Sequence, residues 1–214
     1  MKDKLNILIA NDDGIDSPGI VRLAEAAAKF GNVWVAAPSS QCSGMSQKLT
    51  IRGALAVEQA DFPVPVEAAW AVGGTPADCV KAAVKALVPC RPDVVLTGVN
   101  QGWNAGLDIA YSGTIGAALE GVMNGIPAIA FSAREFCDPG AMEVYLPRVL
   151  QELLQALPKP GTLWNVNFPP CPAAECKGVL RDRFPEKHSF YENYYTCLRE
   201  ENGVQYVAAR KETD

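Results

Sequence analysis

Asp12 and Asp13 stand side by side in ILIANDDGIDSPGI, residues 7–20, where an apolar run of strand length stops. Two ionised carboxylates held this close repel, and without a cation one of them has its pKa pushed up. A divalent metal ion removes that cost. The oxygens on offer are the Asp12 and Asp13 carboxylates, the Asn100 side-chain carbonyl and a hydroxyl such as that of Ser43. Such a set suits a hard ion, Mg²⁺ or Mn²⁺. Zinc fits poorly, because His188 is the single histidine of the chain. Asp-Asp-Gly is also ordinary turn chemistry, so the dipeptide gains meaning only from its place in a fold.

An anion needs donors, and the sequence offers them at YSGTIGAALEG, residues 111–121, where Ser112, Gly113 and Thr114 open an expected helix. That tripeptide is a good N-cap. It is also what a phosphate site requires, because the first amides of a helix are unpaired and its N-terminal end is positive. Gly98, Gly102 and Gly106 in TGVNQGWNAGLD, residues 97–108, read as a flexible connection or as backbone that approaches a ligand closely. Trp103 and Tyr111 can stack on a base or lie as lids against the core. For His188, in a polar tail, a surface role and a catalytic one are both open. No G-x-G-x-x-G, G-x-x-x-x-G-K-[ST] or G-x-S-x-G occurs, which removes support for dinucleotide, P-loop and α/β-hydrolase chemistry.

These clusters fall at the ends of strands in an alternating pattern. Leu5 to Ala10, Asn32 to Ala37, Asp93 to Thr97, Pro127 to Phe131 and Leu163 to Phe168 read as buried strands. Between them lie expected helices over Pro18 to Phe30, from Thr75 through TPADCVKAAVKAL, over Thr114 to Asn124 and over Gly140 to Leu157. Ser17 before Pro18 and Thr75 before Pro76 are the expected caps, with Asp78 completing a capping box. Shorter β-like pieces are expected around Lys48 to Ile51, Leu55 to Glu58 and Val66 to Val72. The alternation implies an α/β, Rossmann-like three-layer sandwich around a mostly parallel sheet. In such sheets ligands bind beyond the carboxyl ends of the strands, where four polar clusters fall: residues 11–14, SSQCSGMS at 39–46, Asn100 with its neighbours, and Ser112 to Thr114. After the prolines at 169, 170 and 172 the composition turns charged and aromatic. The division is therefore a Rossmann-like catalytic domain over 1–169 and, over 170–214, a hairpin-like C-terminal β-arm or extension.

The chain has 214 residues, 49% of them hydrophobic and 20% charged, enough for one sizeable core. No stretch reaches the roughly 18 to 20 apolar residues of a membrane helix, and the N-terminus lacks a signal-peptide core. A cytoplasmic address is expected, without a membrane partner. The seven cysteines, at 42, 79, 90, 137, 171, 176 and 197, form no C-x-x-C pair and read as thiols. A net charge of −5 argues against duplex nucleic acid as a partner.

As a set, the residues are recognisable. NDDGIDSPGI at 11–20, SGMS at 43–46, GGTPADCV at 73–80, TGVNQGWNAG at 97–106, YSGTIGAALEG at 111–121 and NVNFP at 165–169 occur in this order. The sequence resembles the SurE (survival protein E) family of metal-dependent nucleotidases. The resemblance implies hydrolysis of nucleoside 5′-monophosphates, and of 3′ esters or other small phosphate esters, by a homodimer or homotetramer that the C-terminal arm over 170–214 builds. It implies one Mg²⁺ or Mn²⁺ per subunit, held by Asp12, Asp13, Ser43 and Asn100. Asp12 and Asp13 would be catalytic, while Ser112, Gly113 and Thr114, with Asn11 nearby, would hold the substrate phosphate. Gln47 stands where a histidine or asparagine is frequent in that family.

Two other classes compete. A regulatory module that binds nucleotide or phosphate without turnover would keep the sheet and helix end but need no metal set. A haloacid-dehalogenase-type phosphatase wants a second aspartate two residues after the first, and here the pair is adjacent.

Overall fold

The computed structural model describes residues 4–134, 140–189 and 194–210. Seven strands form the central sheet: β1 (Leu5–Ala10), β2 (Gly31–Pro38), β3 (Val57–Gln59), β4 (Ala68–Val72), β5 (Val94–Gln101), β6 (Ala128–Ala133) and β7 (Leu163–Phe168). Their order is β3-β4-β2-β1-β5-β6-β7, parallel throughout except for β3, which runs antiparallel to β4 at one edge. The expected Rossmann-like α/β sandwich is the fold observed.

Burial on both faces explains the unbroken apolar strands. In β1, Ile7 and Ile9 enter one core cluster while Leu8 and Ala10 enter the other. The first face is covered by α1 (Pro18–Ala27) and α4 (Ala141–Gln155), through Ile20, Leu23, Leu146 and Leu150. Covering the second are α2 (Pro76–Ala82) and α3 (Gly113–Met123), through Val80, Ile115 and Ala118.

Several boundaries differ from those read in the sequence, each for a tertiary reason. Residues 48–51 form no strand, because the Thr50 amide and hydroxyl both bond the Asp78 carboxylate, at 2.8 Å each, and tie the segment to α2. The expected strand at Leu55 to Glu58 is reduced to Val57–Gln59. After Ala82 the second helix loosens into a π turn over Ala83–Leu87. β5 extends past Thr97 to Gln101, which carries Asn100 to the sheet rim. Thr75 and Asp78 form the expected capping box, but Ser17 does not cap α1 with its side chain.

The order reverses at β1, which has β2 on one side and β5 on the other. A crevice at this switch point is where an open α/β sheet receives a ligand. Beyond β7 the chain turns back over the body: the Ala141 amide bonds Cys171 O at 2.9 Å, and Arg181 pairs with Glu152 at 2.6 Å. Strands β8 (Tyr194–Glu201) and β9 (Val204–Arg210) then form a separate antiparallel hairpin around Asn202-Gly203. Among the described residues no helix is long and apolar enough to cross a membrane. Cys42, Cys79, Cys90, Cys176 and Cys197 are free thiols, while Cys137 lies outside the described residues.

Candidate metal and phosphate site

Asp12, Asp13 and Asn100 meet at the switch point because β1 and β5 are neighbours and both end there. Each carries one restrained polar atom. The Thr114 hydroxyl donates to Asp12 Oδ1, the Gln101 amide donates to Asp13 Oδ2 at 3.1 Å, and Asn100 Nδ2 donates to Gly102 O at 2.8 Å. Asp13 Oδ1 and Asn100 Oδ1 meet no protein donor among the described residues, while the Asp12 carboxylate also accepts from the backbone amides of Asp12 and Thr114. Two oxygens of hard-ligand chemistry, Asp13 Oδ1 and Asn100 Oδ1, are thus oriented and unspent beside the buried Asp12 carboxylate. They fit a Mg²⁺- or Mn²⁺-type cation.

Ser43 is exposed and is brought to the same rim by its loop. The Cys42 amide bonds Asp12 O at 2.7 Å, and the Ser46 amide bonds Tyr111 O at 3.0 Å. Gly116 of α3 lets this loop approach, since a Cβ there would stand 2.1 Å from Ser46 O. Asp78 fixes the far end of the loop. Among the described residues no three His, Cys, Asp or Glu side chains gather as a metal group, so the candidate set is two carboxylates with a neutral amide and a hydroxyl. Beneath it, level with Ala10, the fully buried Thr97 hydroxyl has no hydrogen-bond partner among the described residues.

Burial dominates the electrostatics of Asp12. Asp12 is 3% exposed, and its carboxyl is pushed from 3.8 up to about 6, chiefly by desolvation. The Thr114 hydrogen bond opposes the rise, and the charge of Asp13 adds to it. Such a group favours a cation beside it.

α3 starts directly against Asp12. A Cβ on Gly113 would stand 2.8 Å from Asp12 Cβ, so glycine permits this approach. Ser112 accepts from the Ile115 amide at 3.1 Å and caps the helix, which leaves its own hydroxyl proton available. Thr114 is fully buried and spends its proton on Asp12, an orienting contact that its position in the sequence did not reveal. Asn11 is likewise buried. Its Nδ2 bonds Gly14 O at 2.8 Å and Ser17 Oγ at 2.7 Å, and its Oδ1 accepts from the Gly14 amide at 3.2 Å. Both side chains shape the loop from beneath. A cleft of about 360 Å³ opens beside Asp13, lined by Ser17, Ser39, Gln41 and Gln101 among others, on the β2 side of the pair.

The 3₁₀ turn Gly106–Tyr111 leads into Ser112, and the C-terminal segment holds it. The Leu107 amide bonds His188 O at 3.0 Å, and the Ser189 hydroxyl donates to the buried Asp108. His188 therefore meets the site's support through its backbone. No short motif could have paired residues 81 positions apart.

The model of the family Survival protein SurE matches residues 7–189. The chain belongs to the SurE family. A protein of Protochlamydia amoebophila named 5′-nucleotidase SurE is 39% identical over 84% of this chain and 69% of its own length. One of the same name from Chlamydia felis is 42% identical over 80% of this chain, which spans 65% of it. For a Microcystis aeruginosa 5′-nucleotidase SurE the identity is 42% over 94% and 76%. The crystal structure of a SurE protein from Aquifex aeolicus superposes with a TM-score of 0.78 at 35% identity, covering 95% of this chain and 82% of that one. The SurE match crosses position 169 and reaches the segment that grips the 3₁₀ turn.

Proposed function

We propose that this chain is a 5′-nucleotidase, a phosphoric monoester hydrolase that converts nucleoside 5′-monophosphates to nucleoside and phosphate with one divalent cation per subunit. The observation that carries the reading is the oxygen set at the switch point, with Asp13 and Asn100 each held by one atom and unspent at the other, beside the buried Asp12 carboxylate that Thr114 orients. SurE membership and the name shared by the relatives supply the reaction class.

Asp12, Asp13, Ser43 and Asn100 would hold Mg²⁺ or Mn²⁺, which when bound supplies positive charge opposite the phosphate and Lewis-acid activation of water. Asp13 is fixed by the Gln101 amide and orients its unspent oxygen. Asp12, held by Thr114, accepts the proton of the water that attacks phosphorus, as the ester oxygen leaves and takes up a proton. The Gly113 amide and the Ser112 hydroxyl, at the positive end of α3, steady the phosphate oxygens. Thr114 and Asn11 act one layer below, by fixing Asp12 and the β1 loop.

A 3′ ester presents the same phosphate group, so 3′-monophosphates are proposed as secondary substrates. The chain is read as a cytoplasmic homodimer or homotetramer, with 170–214 as the arm that joins copies. A two-stranded hairpin is marginal by itself in water, and β8–β9 leaves Tyr195, Leu198, Val204 and Val207 exposed. The test is phosphate release from a panel of 5′- and 3′-nucleoside monophosphates with Mg²⁺, Mn²⁺ or chelator. Metal-dependent release from the 5′ esters supports the reading. Binding of nucleotide without release under any metal would leave a regulatory module instead.

A further inference from the structure

Trp103 is the least explained side chain near the site. It is 39% exposed and joins neither core cluster, so it is not a lid on the core. Its mount is nevertheless stiff. The indole Nε1 donates to Phe168 O at 2.7 Å, and the preceding Gly102 amide bonds Ala133 O at 2.8 Å. Asn104, on its other side, bonds Asn167 Oδ1 through its amide at 3.0 Å and Ser132 Oγ through Nδ2 at 2.9 Å. Its carbonyl accepts from Asn165 and Asn167 at 2.7 and 3.0 Å. The ends of β6 and β7 thus hold an indole in place while leaving part of it in water.

We propose that the exposed face of Trp103 is the stacking platform for the base of the nucleotide. The inference rests on the nucleotidase reading and adds the base subsite to it. Distance permits it, since Trp103 stands three positions after Asn100, so their Cα atoms lie within about 11 Å, the reach of a ribose phosphate bearing a base. Chemistry favours it as well. A ring fixed before binding loses little entropy on stacking, and every base presents a π face. The Arg134 guanidinium, 5.7 Å from the ring centroid, lies over one face of the indole and adds a positive charge that draws in the anionic ligand, which leaves the other face for the base. Because the indole N–H is spent on Phe168, this platform reads no base edge. It separates nucleotides from base-free phosphate esters without ranking the bases.

The experiment compares KM for the 5′-monophosphates of adenosine, guanosine, cytidine and uridine with KM for ribose 5-phosphate, in wild type, Trp103→Ala, Trp103→Leu and Trp103→Phe. The expected result is that Ala and Leu raise the nucleotide-to-ribose-phosphate KM ratio by about 10- to 100-fold, equally for all four bases, and that Phe recovers most of it. Leu keeps bulk without a π face, so the Leu and Phe pair decides the matter where the Ala variant does not fold. An unchanged ratio in folded Trp103→Leu overturns the platform. Quenching of tryptophan fluorescence by adenosine 5′-monophosphate, titrated into wild type and Trp103→Phe, provides a readout without turnover. If wild type hydrolyses neither ester, the nucleotidase reading fails by itself. Quenching lost in Trp103→Phe then still supports the platform, and equal quenching overturns it.

Discussion

The Thr114 hydroxyl donates a hydrogen bond to the Asp12 carboxylate across 102 positions of sequence. The contact joins the first turn of α3 to the loop after β1, so the expected phosphate turn and the expected metal ligands are one assembly. Removing the proton while keeping the shape, as in Thr114→Val, frees Asp12 to rotate. Such misplacement costs about 10²-fold in kcat. Thr114→Ser should retain most of the activity, and steady-state kinetics of the pair check this.

Asp12 also makes stability depend on pH. Its carboxyl is at about 6 in the folded chain against an ordinary 3.8, so the folded protein keeps a proton that the unfolded chain has lost. Stability from this group is complete below pH 3.8 and falls as the pH rises to about 6, by about 3 kcal/mol in all. Asp78 works in the opposite sense. Burial pushes its carboxyl up, but hydrogen bonds from Thr75 and Thr50 outweigh that and hold it below the ordinary value, so its contribution is lost on acidification below that value. Denaturation in chelator from pH 4.5 to 7.5 should show the Asp12 slope, and Asp12→Asn should flatten it. Added Mn²⁺ should stabilise the protein more at pH 7.5 than at pH 4.5, because protons compete with the cation.

Gly116→Ala tests the placement of Ser43. A Cβ 2.1 Å from Ser46 O forces the loop away from α3. The expected outcome is weaker Mn²⁺ binding by about tenfold, the scale of a disturbed support around metal ligands, with the fold kept, as read by calorimetry and circular dichroism.

Asp78→Ala removes the acceptor shared by Thr50 and Thr75. Leaving those donors unpaired should cost about 3 kcal/mol in urea unfolding and loosen the same loop.

The sheet was legible in the sequence because strand segments buried on both faces must be apolar, as Ile7 to Ala10 of β1 and Val94 to Leu96 of β5 are. The candidate site could be proposed from the sequence because Asp12, Asp13 and Asn100 stand at strand ends, where ligands gather, and Ser112 opens a helix. The partners that restrain them were hidden. Gln101 serves through its backbone, Thr114 looked like a cap, and Asp108 is held by Ser189 from the far end of the chain. Contacts of that kind depend on tertiary placement, which local patterns do not encode. Residues 48–51 show the converse, since a β-like composition yielded to the pull of Asp78.

The central claim is tested most directly by following phosphate release from adenosine 5′-monophosphate by the purified chain, in chelator and after Mn²⁺ is restored, beside Asp13→Asn. The account predicts that release stops in chelator, returns with Mn²⁺, and falls by at least about 10²-fold in Asp13→Asn, since removing an oriented ligand or stabiliser costs that much. Release that continues in chelator, or at the wild-type rate in Asp13→Asn, would contradict it.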